Sequence, residues 1–216
     1  MLIPKGELHL LLNTYHNQYL DFIMRYYTIV GEWIPYVICA LLLLYKTGWA
    51  IFTLLGVTLS GLITQGLKYA INADRPLTWF ANNMPNVKLQ LVEGVHMSKW
   101  FSCPSGHTTS FFAMFFALSI LLAYKYNNEN TDKPTAKEVH RQQKTKNITA
   151  QIIFFILAIF GAYSRIYLSQ HFLSDTLAGS IVGIATVAII YPLLQYINNK
   201  PIWNYKILNV VRKQQY

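Results

Sequence analysis

Gly48 to Leu67 is a run of about twenty residues without a single charge. A helix needs about 20 mostly apolar residues to cross the hydrocarbon core of a bilayer. Thr108 to Tyr124, Ile148 to Tyr163 and Leu177 to Leu194 are runs of the same kind. A fifth, Trp33 to Tyr45, is shorter and takes in Thr28 to Glu32 to span. Lipid supplies no water for unpaired backbone groups, so each run is expected to be helical. The expected fold is all-α: a polytopic membrane bundle of about five transmembrane helices, with interfacial helices before it. Composition closes the other routes. Of 216 residues, 53% are hydrophobic and 12% charged, against about 25% charged in an ordinary soluble domain. That hydrophobicity excludes a disordered chain, and two cysteines exclude a disulfide scaffold. The length excludes a large multidomain enzyme. A net charge of +9 would suit nucleic acid, but the apolar runs do not, so no nucleic-acid partner is expected.

The chain reads as one domain over residues 1–216. Residues 1–30 mix Leu10, Leu11, Leu12, Phe22 and Ile23 with Glu7, His16, Asp21 and Arg25, the pattern of one or two amphipathic helices at the membrane surface. The stretch after Lys5 is too short and too broken by His9 for a signal peptide. Residues 31–197 form the transmembrane core and residues 198–216 a cytoplasmic tail. Positive charge orients such a bundle. Eleven of the eighteen Lys and Arg fall in the first hairpin, in the polar loop from Asn127 to Asn147 with its flank, and in the tail. These are placed in the cytoplasm, and the loop reads as a solvated connector. The N-terminus is then outside, in a multi-pass protein of the cytoplasmic membrane. Cys39 falls mid-span and Cys103 in the long outer loop, so no disulfide is expected between them.

Charge beside a membrane span is costly and usually functional. Lys68 ends the second span and Arg75-Pro76 follows. Ser105, Gly106 and His107 open the third. Ser164 and Arg165 end the fourth, and His171 and Asp175 open the fifth. In this topology all of them lie at the outer face. Each has an ordinary alternative: Lys68 snorkelling from a helix end, Arg75-Pro76 ending a helix, Pro104-Ser105-Gly106 a turn, His171 and Asp175 a local cap on one helical face. Convergence on one layer is what favours a site. Three cations and a helix N-terminus suit phosphate, and arginine adds forked donors. Two histidines suit a nucleophile and a general acid. A carboxylate four residues from a histidine can hold its tautomer. No H-E-x-x-H pattern is present, and three cations oppose a divalent ion. No metal and no cofactor is expected.

Three ordered motifs then carry a resemblance. Lys68-Tyr-Ala-Ile-Asn-Ala-Asp-Arg75-Pro76 fits K-x6-R-P, Pro104-Ser105-Gly106-His107 is P-S-G-H, and Ser164-Arg165 with His171 and Asp175 fits S-R-x5-H-x3-D. Together they resemble the signature of the type-2 phosphatidic acid phosphatase superfamily, whose site vanadium haloperoxidases share. The resemblance runs from about Gly48 to Leu194 and leaves the first 30 residues uncovered. Larger bacterial members have six spans; by that comparison the first is expected to be missing here. The resemblance implies that His171 attacks phosphorus to form a phosphohistidine, that Asp175 orients it, and that His107 protonates the leaving oxygen. Lys68, Arg75 and Arg165 would hold the phosphoryl oxygens with help from Ser105 and the Gly106 N–H, and Ser164 would be a supporting contact. The spans favour a lipid phosphate over peroxide and halide.

The expected function is therefore hydrolysis of a lipid phosphate monoester or diphosphate at the outer membrane face. Undecaprenyl diphosphate, phosphatidylglycerol phosphate, phosphatidic acid and lipid A are the candidates. The Leu77 to Cys103 loop, rich in apolar and aromatic residues, either frames acyl-chain entry or simply packs over the helix ends. Within it Lys88, His96 and Lys99 could meet a second phosphate or a sugar, and the interfacial helices could gate lateral access. A phosphotransferase would use the same residues. A lipid or anion transporter would place its site near the midplane and show repeats, and neither is visible. The sequence is silent on oligomeric state.

Overall fold

The computed structural model of the chain describes residues 4–129 and 137–200. Among these residues every regular element is a helix: α1 (Lys5–Leu12), α2 (Gln18–Tyr45), α3 (Thr47–Ile71), α4 (Pro76–Asn83), α5 (Gly106–Glu129), α6 (Lys137–Tyr167), α7 (Leu173–Ile189) and α8 (Tyr191–Asn198). Four stretches within Thr47–Asn83, Gly106–Asn127, Arg141–Tyr167 and Leu173–Asn198 are long and apolar enough to cross a membrane, and α2 makes a fifth if its two bent halves count as one span. The chain is a multi-pass membrane helical bundle.

Helix α5 is the axis of the bundle. It packs against α3, α6 and α7, while α2 leans on α3, α5 and α6. Phe111, Ala113, Met114, Ala117 and Leu121 of α5 are buried with Phe52 of α3 and Val187 of α7. Helix α7 approaches α5 through Gly179 and Gly183. A Cβ at Gly179 would lie 2.6 Å from the Ser105 carbonyl oxygen, and one at Gly183 would lie 2.6 Å from that of Thr109. This is the small-xxx-small contact that lets membrane helices bring their backbones together. Phe111 is gripped differently. Its ring lies against the bare Cα positions of Gly31 on α2 and Gly161 on α6, and it stacks on Tyr27 at 5.3 Å with the rings nearly parallel. The outward faces of α2, α3, α6 and α7 carry Leu41, Leu62, Ile152, Phe155, Ile156 and Ile181, all exposed. In a membrane these face lipid.

Several boundaries differ from the sequence expectation. Residues 18–30 do not end before the first span; they run on into it as the first part of α2. Several of its polar groups find partners on α6: the Tyr27 hydroxyl donates to the Leu157 carbonyl (2.9 Å), Thr28 pairs with Ser164 (2.8 Å), and the Tyr167 hydroxyl donates to Asp21 (2.5 Å). The two halves of α2 meet at 48° near Gly31. Pro35 explains the bend, because it cannot donate to the Gly31 carbonyl and its ring crowds that oxygen. Both ends of the connector expected over Asn127 to Asn147 are helical, since α5 runs to Glu129 and α6 begins at Lys137; the residues between lie outside the described ones. The last apolar run does not reach Leu194 as one helix. Pro192 ends the ladder, α7 stops at Ile189, and α8 starts afresh at Tyr191. Most of the tail, residues 201–216, and Lys133 lie outside the described residues.

Candidate active site

The K-x6-R-P segment leaves the bundle at the end of α3. Asn72 caps that helix in the left-handed conformation (φ 45°, ψ 44°), and its N–H donates to the Lys68 carbonyl. Asparagine takes this conformation more readily than most residues. One turn before Lys68, Thr64 donates to Thr109 of α5 at 3.0 Å, which fixes α3 against the start of α5. Lys68 Nζ comes within 3.7 Å of where a Cβ on Gly106 would stand, so the first two motifs meet at the α5 N-terminus. The first N–H groups of an α-helix have no intrahelical acceptor, so Lys68 and those donors lie at the same helix end. Among the described residues Lys68 forms no ion pair. Arg75 turns back over the third motif. Its Nε donates to the Trp100 carbonyl (3.0 Å) and its Nη1 to Gln170 Oε1 (2.9 Å).

The third motif is a tight turn between α6 and α7. Gln170 N–H and His171 N–H both donate to the Arg165 carbonyl (3.0 and 3.2 Å). Ser169 takes a left-handed φ of 50°. Arg165 is almost fully buried, and its Nε meets no hydrogen-bond acceptor among the described residues. A buried donor of this kind is costly unless an anion meets it. His171 is 1% exposed and Asp175 2%. Asp175 Oδ2 accepts from the Phe172 N–H (2.9 Å) and from the Ser102 hydroxyl (2.6 Å), and it lies 3.8 Å from His171 Nδ1. That last distance is an electrostatic contact rather than a hydrogen bond. Ser102 stands between the two, 3.4 Å from His171 Nδ1. Nδ1 therefore faces Asp175 and Ser102, and Nε2 is the nitrogen left for chemistry. Burial pushes the His171 imidazole down to about 3, with Asp175 opposing and Arg165 and Arg75 adding to the push. It is neutral at ordinary pH, as a nitrogen nucleophile must be.

The remaining site residues divide. Ser105 donates its backbone N–H to the Asp175 carbonyl (2.9 Å), and its hydroxyl accepts from Thr108 (3.0 Å); it ties α5 to α7. The Ser164 hydroxyl is not turned to the phosphate-type cluster. It donates to the Gly161 carbonyl (2.7 Å) and pairs with Thr28 on α2. His107 lies within electrostatic reach of Arg165, His171, Lys68 and Arg75, and its Nε2 meets Glu32 Oε1 of α2 at 2.7 Å. Sequence reasoning missed three contributors. Ser102 carried no signal beyond its place next to the P-S-G-H motif. In the sequence Glu32 only lengthens a short span. His9 of α1 interrupts an apolar stretch in the sequence, yet it is 1% exposed, hydrogen-bonded to Ser169 (3.3 Å) and edge-on to Phe172 (5.1 Å). Burial pushes its imidazole down to about 4, with Asp175 opposing and Lys5 adding. Helix α1 thus packs on the outside of the turn that carries His171, with Gly6 against Trp79 of α4.

An all-helical membrane bundle gathers three cations, a buried His–carboxylate pair and a second histidine at its helix ends, a donor set whose charge suits an anionic phosphoryl group. Residues 49–199 match the model of the PAP2 superfamily. The chain belongs to that superfamily and is a multi-pass membrane phosphatase. Two solved structures share its fold. The crystal structure of Aquifex aeolicus LpxE is 22% identical, with a TM-score of 0.62 over 85% of this chain and 92% of that one. A transmembrane PAP2 type phosphatidylglycerolphosphate phosphatase from Bacillus subtilis is 20% identical, with a TM-score of 0.65 over 89% and 85%. No curated protein matches the sequence.

Proposed function

We propose that this chain hydrolyses a lipid phosphate monoester or diphosphate at the outer face of the cytoplasmic membrane, through a phosphohistidine. The observation that carries the reading is the buried His171–Asp175 pair, with Arg75 bonded to the residue before His171 and Arg165 supporting its backbone. His171 Nε2 attacks phosphorus in line. The bond to the lipid oxygen breaks, and His107 gives that oxygen a proton. Lys68, Arg75, Arg165 and the Gly106 N–H balance the charge on the equatorial oxygens, which is most of what phosphoryl transfer asks of a protein. Water then attacks the phosphohistidine, His107 takes its proton, and phosphate leaves with His171 regenerated. Asp175 and Ser102 hold the nucleophile; Ser105 and Ser164 brace the helices around it. No step in this scheme calls on a metal or a cofactor.

A lipid substrate is supported by the surroundings. A cavity of about 280 Å³ adjoins Lys68 and Arg75 and is lined further by Gln65, Tyr69, Lys99 and Phe101. Beside it Trp100 is exposed, and Leu91 lies exposed on the same loop, as suits residues entering a headgroup layer. The outer location rests on the distribution of basic residues between the two sides. The Bacillus subtilis neighbour acts on phosphatidylglycerolphosphate, one of the candidates already raised for this chain. The test is phosphate release in detergent from phosphatidic acid, phosphatidylglycerol phosphate, undecaprenyl diphosphate and lipid A, with chelator present. Turnover is expected for at least one and should vanish in His171→Ala while the protein stays folded. Normal turnover in that variant removes the nucleophile assignment. Label passing into a second lipid instead of solution marks a phosphotransferase, and vesicle flux that survives loss of both histidines marks a transporter.

A further inference from the structure

The histidine assigned to the leaving oxygen has an acidic neighbour. Glu32 sits beside the bend of α2, outside the residues 49–199 that the family model covers, and its carboxylate meets His107 Nε2 at 2.7 Å. Its side chain is 55% exposed, against 22% for His107, so it stands on the open side of the acid. Of the cations, Arg165 is the one that feels Glu32. Otherwise the site's charges favour anions: Lys68, Arg75 and Arg165 surround the phosphoryl position, and Asp175 is buried behind His171. A carboxylate on the side from which the leaving group departs therefore needs a reason.

In-line attack fixes where that group goes. With His171 on one side of phosphorus, the departing oxygen lies on the other, next to His107 and hence next to Glu32. We propose that Glu32 selects the leaving group: it disfavours a second phosphate there and favours an uncharged, hydroxyl-bearing lipid, so that this enzyme prefers phosphomonoesters to diphosphates. The proposal rests on the lipid phosphatase reading and on His107 as the acid. When a monoester reacts, the departing group is a neutral alcohol. Its oxygen takes the His107 proton, and no negative charge is left beside Glu32. When a diphosphate reacts, the departing group is itself a phosphate, and its charge falls beside the carboxylate. Like charges placed together across a binding surface are a strong means of rejecting a wrong partner. Neutralising Glu32 also leaves Arg165 less balanced and helps every anion, so the informative quantity is a ratio of substrates rather than any one rate.

The test measures kcat/KM in mixed micelles for phosphatidic acid and for undecaprenyl diphosphate, with wild type, Glu32→Gln and Glu32→Lys. Thermal unfolding in detergent verifies the fold of each variant. The wild type should prefer the monoester. The monoester-to-diphosphate ratio should fall about tenfold in Glu32→Gln, the effect of roughly 1.4 kcal/mol, and further in Glu32→Lys. A second reading uses product-like inhibitors: pyrophosphate should gain potency over inorganic phosphate in the same order of variants. An unchanged ratio across the series overturns the selectivity role. So does an equal loss on both substrates, which would make Glu32 part of the proton donor's own machinery. His171→Ala separates the two levels. If wild type releases phosphate and His171→Ala does not, the phosphatase reading stands whatever Glu32 does; if wild type releases none from any lipid, both fall.

Discussion

His171 has three kinds of neighbour, and each does a different job. Arg165 supplies the carbonyl that holds its backbone, Asp175 supplies charge at 3.8 Å, and Ser102 bridges the gap that Asp175 does not close. Removing the bridge leaves a buried carboxylate one donor short. Hydrogen bonds to charged groups contribute about 1.5–3 kcal/mol. Ser102→Ala is expected to lower stability by about that amount and to reduce kcat more than KM, as read from thermal unfolding and lipid titrations. Ser102→Thr keeps the hydroxyl and should recover most of kcat. The residues of the three motifs were legible in the sequence because charge is conspicuous at the ends of apolar runs. Ser102 was not, since a serine in a polar turn resembles many others until the fold lays it on Asp175. Glu32 was hidden for the opposite reason. Its segment mixed polar and apolar residues, and its partner lies 75 positions away on another helix.

At the level of elements, the meeting of α5 and α7 decides whether the second and third motifs share a site. Gly183 leaves no room for a methyl, since a Cβ there would stand 2.6 Å from Thr109 O and 2.9 Å from Ala113 N. Both neighbours are backbone and cannot rotate away. Gly183→Ala should cost about 1–3 kcal/mol through overpacking and lower activity as Asp175 shifts from Ser105. Gly61→Ala is the control, because no atom lies within 4 Å of its added Cβ. It should be neutral or stabilising by up to about 1 kcal/mol, from helix propensity alone. Apparent melting temperatures of the two variants in one detergent check both. Helix existence was readable from the length of the apolar runs, but helix continuity was not. Asp21 and Arg25 look like markers of an interface, yet α2 passes straight through them, because Asp21 finds Tyr167 and Arg25 finds the Glu93 carbonyl at 3.1 Å. Packing against α6 and the Leu77 to Cys103 loop makes those charges compatible with one helix.

The whole molecule keeps two imidazoles from being charged. Folded His171 resists protonation down to about 3 and His9 down to about 4, whereas an unfolded histidine takes a proton near 6.5. Between these values the unfolded state binds more protons, so stability rises with pH there. It is expected to be complete above about pH 6.5 and to drain away as the pH drops toward 4. Melting measured in detergent from pH 8 to pH 4 should show that slope, and His9→Gln should flatten part of it. On the activity side, the proposed scheme has Lys68, Arg75 and Arg165 steady the phosphoryl group, so chelators should leave phosphate release unchanged. That outcome is read by comparing rates with and without EDTA.

The ring of Phe111 ties three helices into one constraint. A methyl at Gly31 or at Gly161 would collide with the same ring, and a slimmer residue at 111 would relieve either collision. Tolerance at these positions is accordingly interdependent. Gly31→Ala or Gly161→Ala alone should be harmful, while each paired with Phe111→Leu should be less harmful than the two changes summed. A variant library that varies one helix at a time will register all three as immutable, although matched sets across them can coexist.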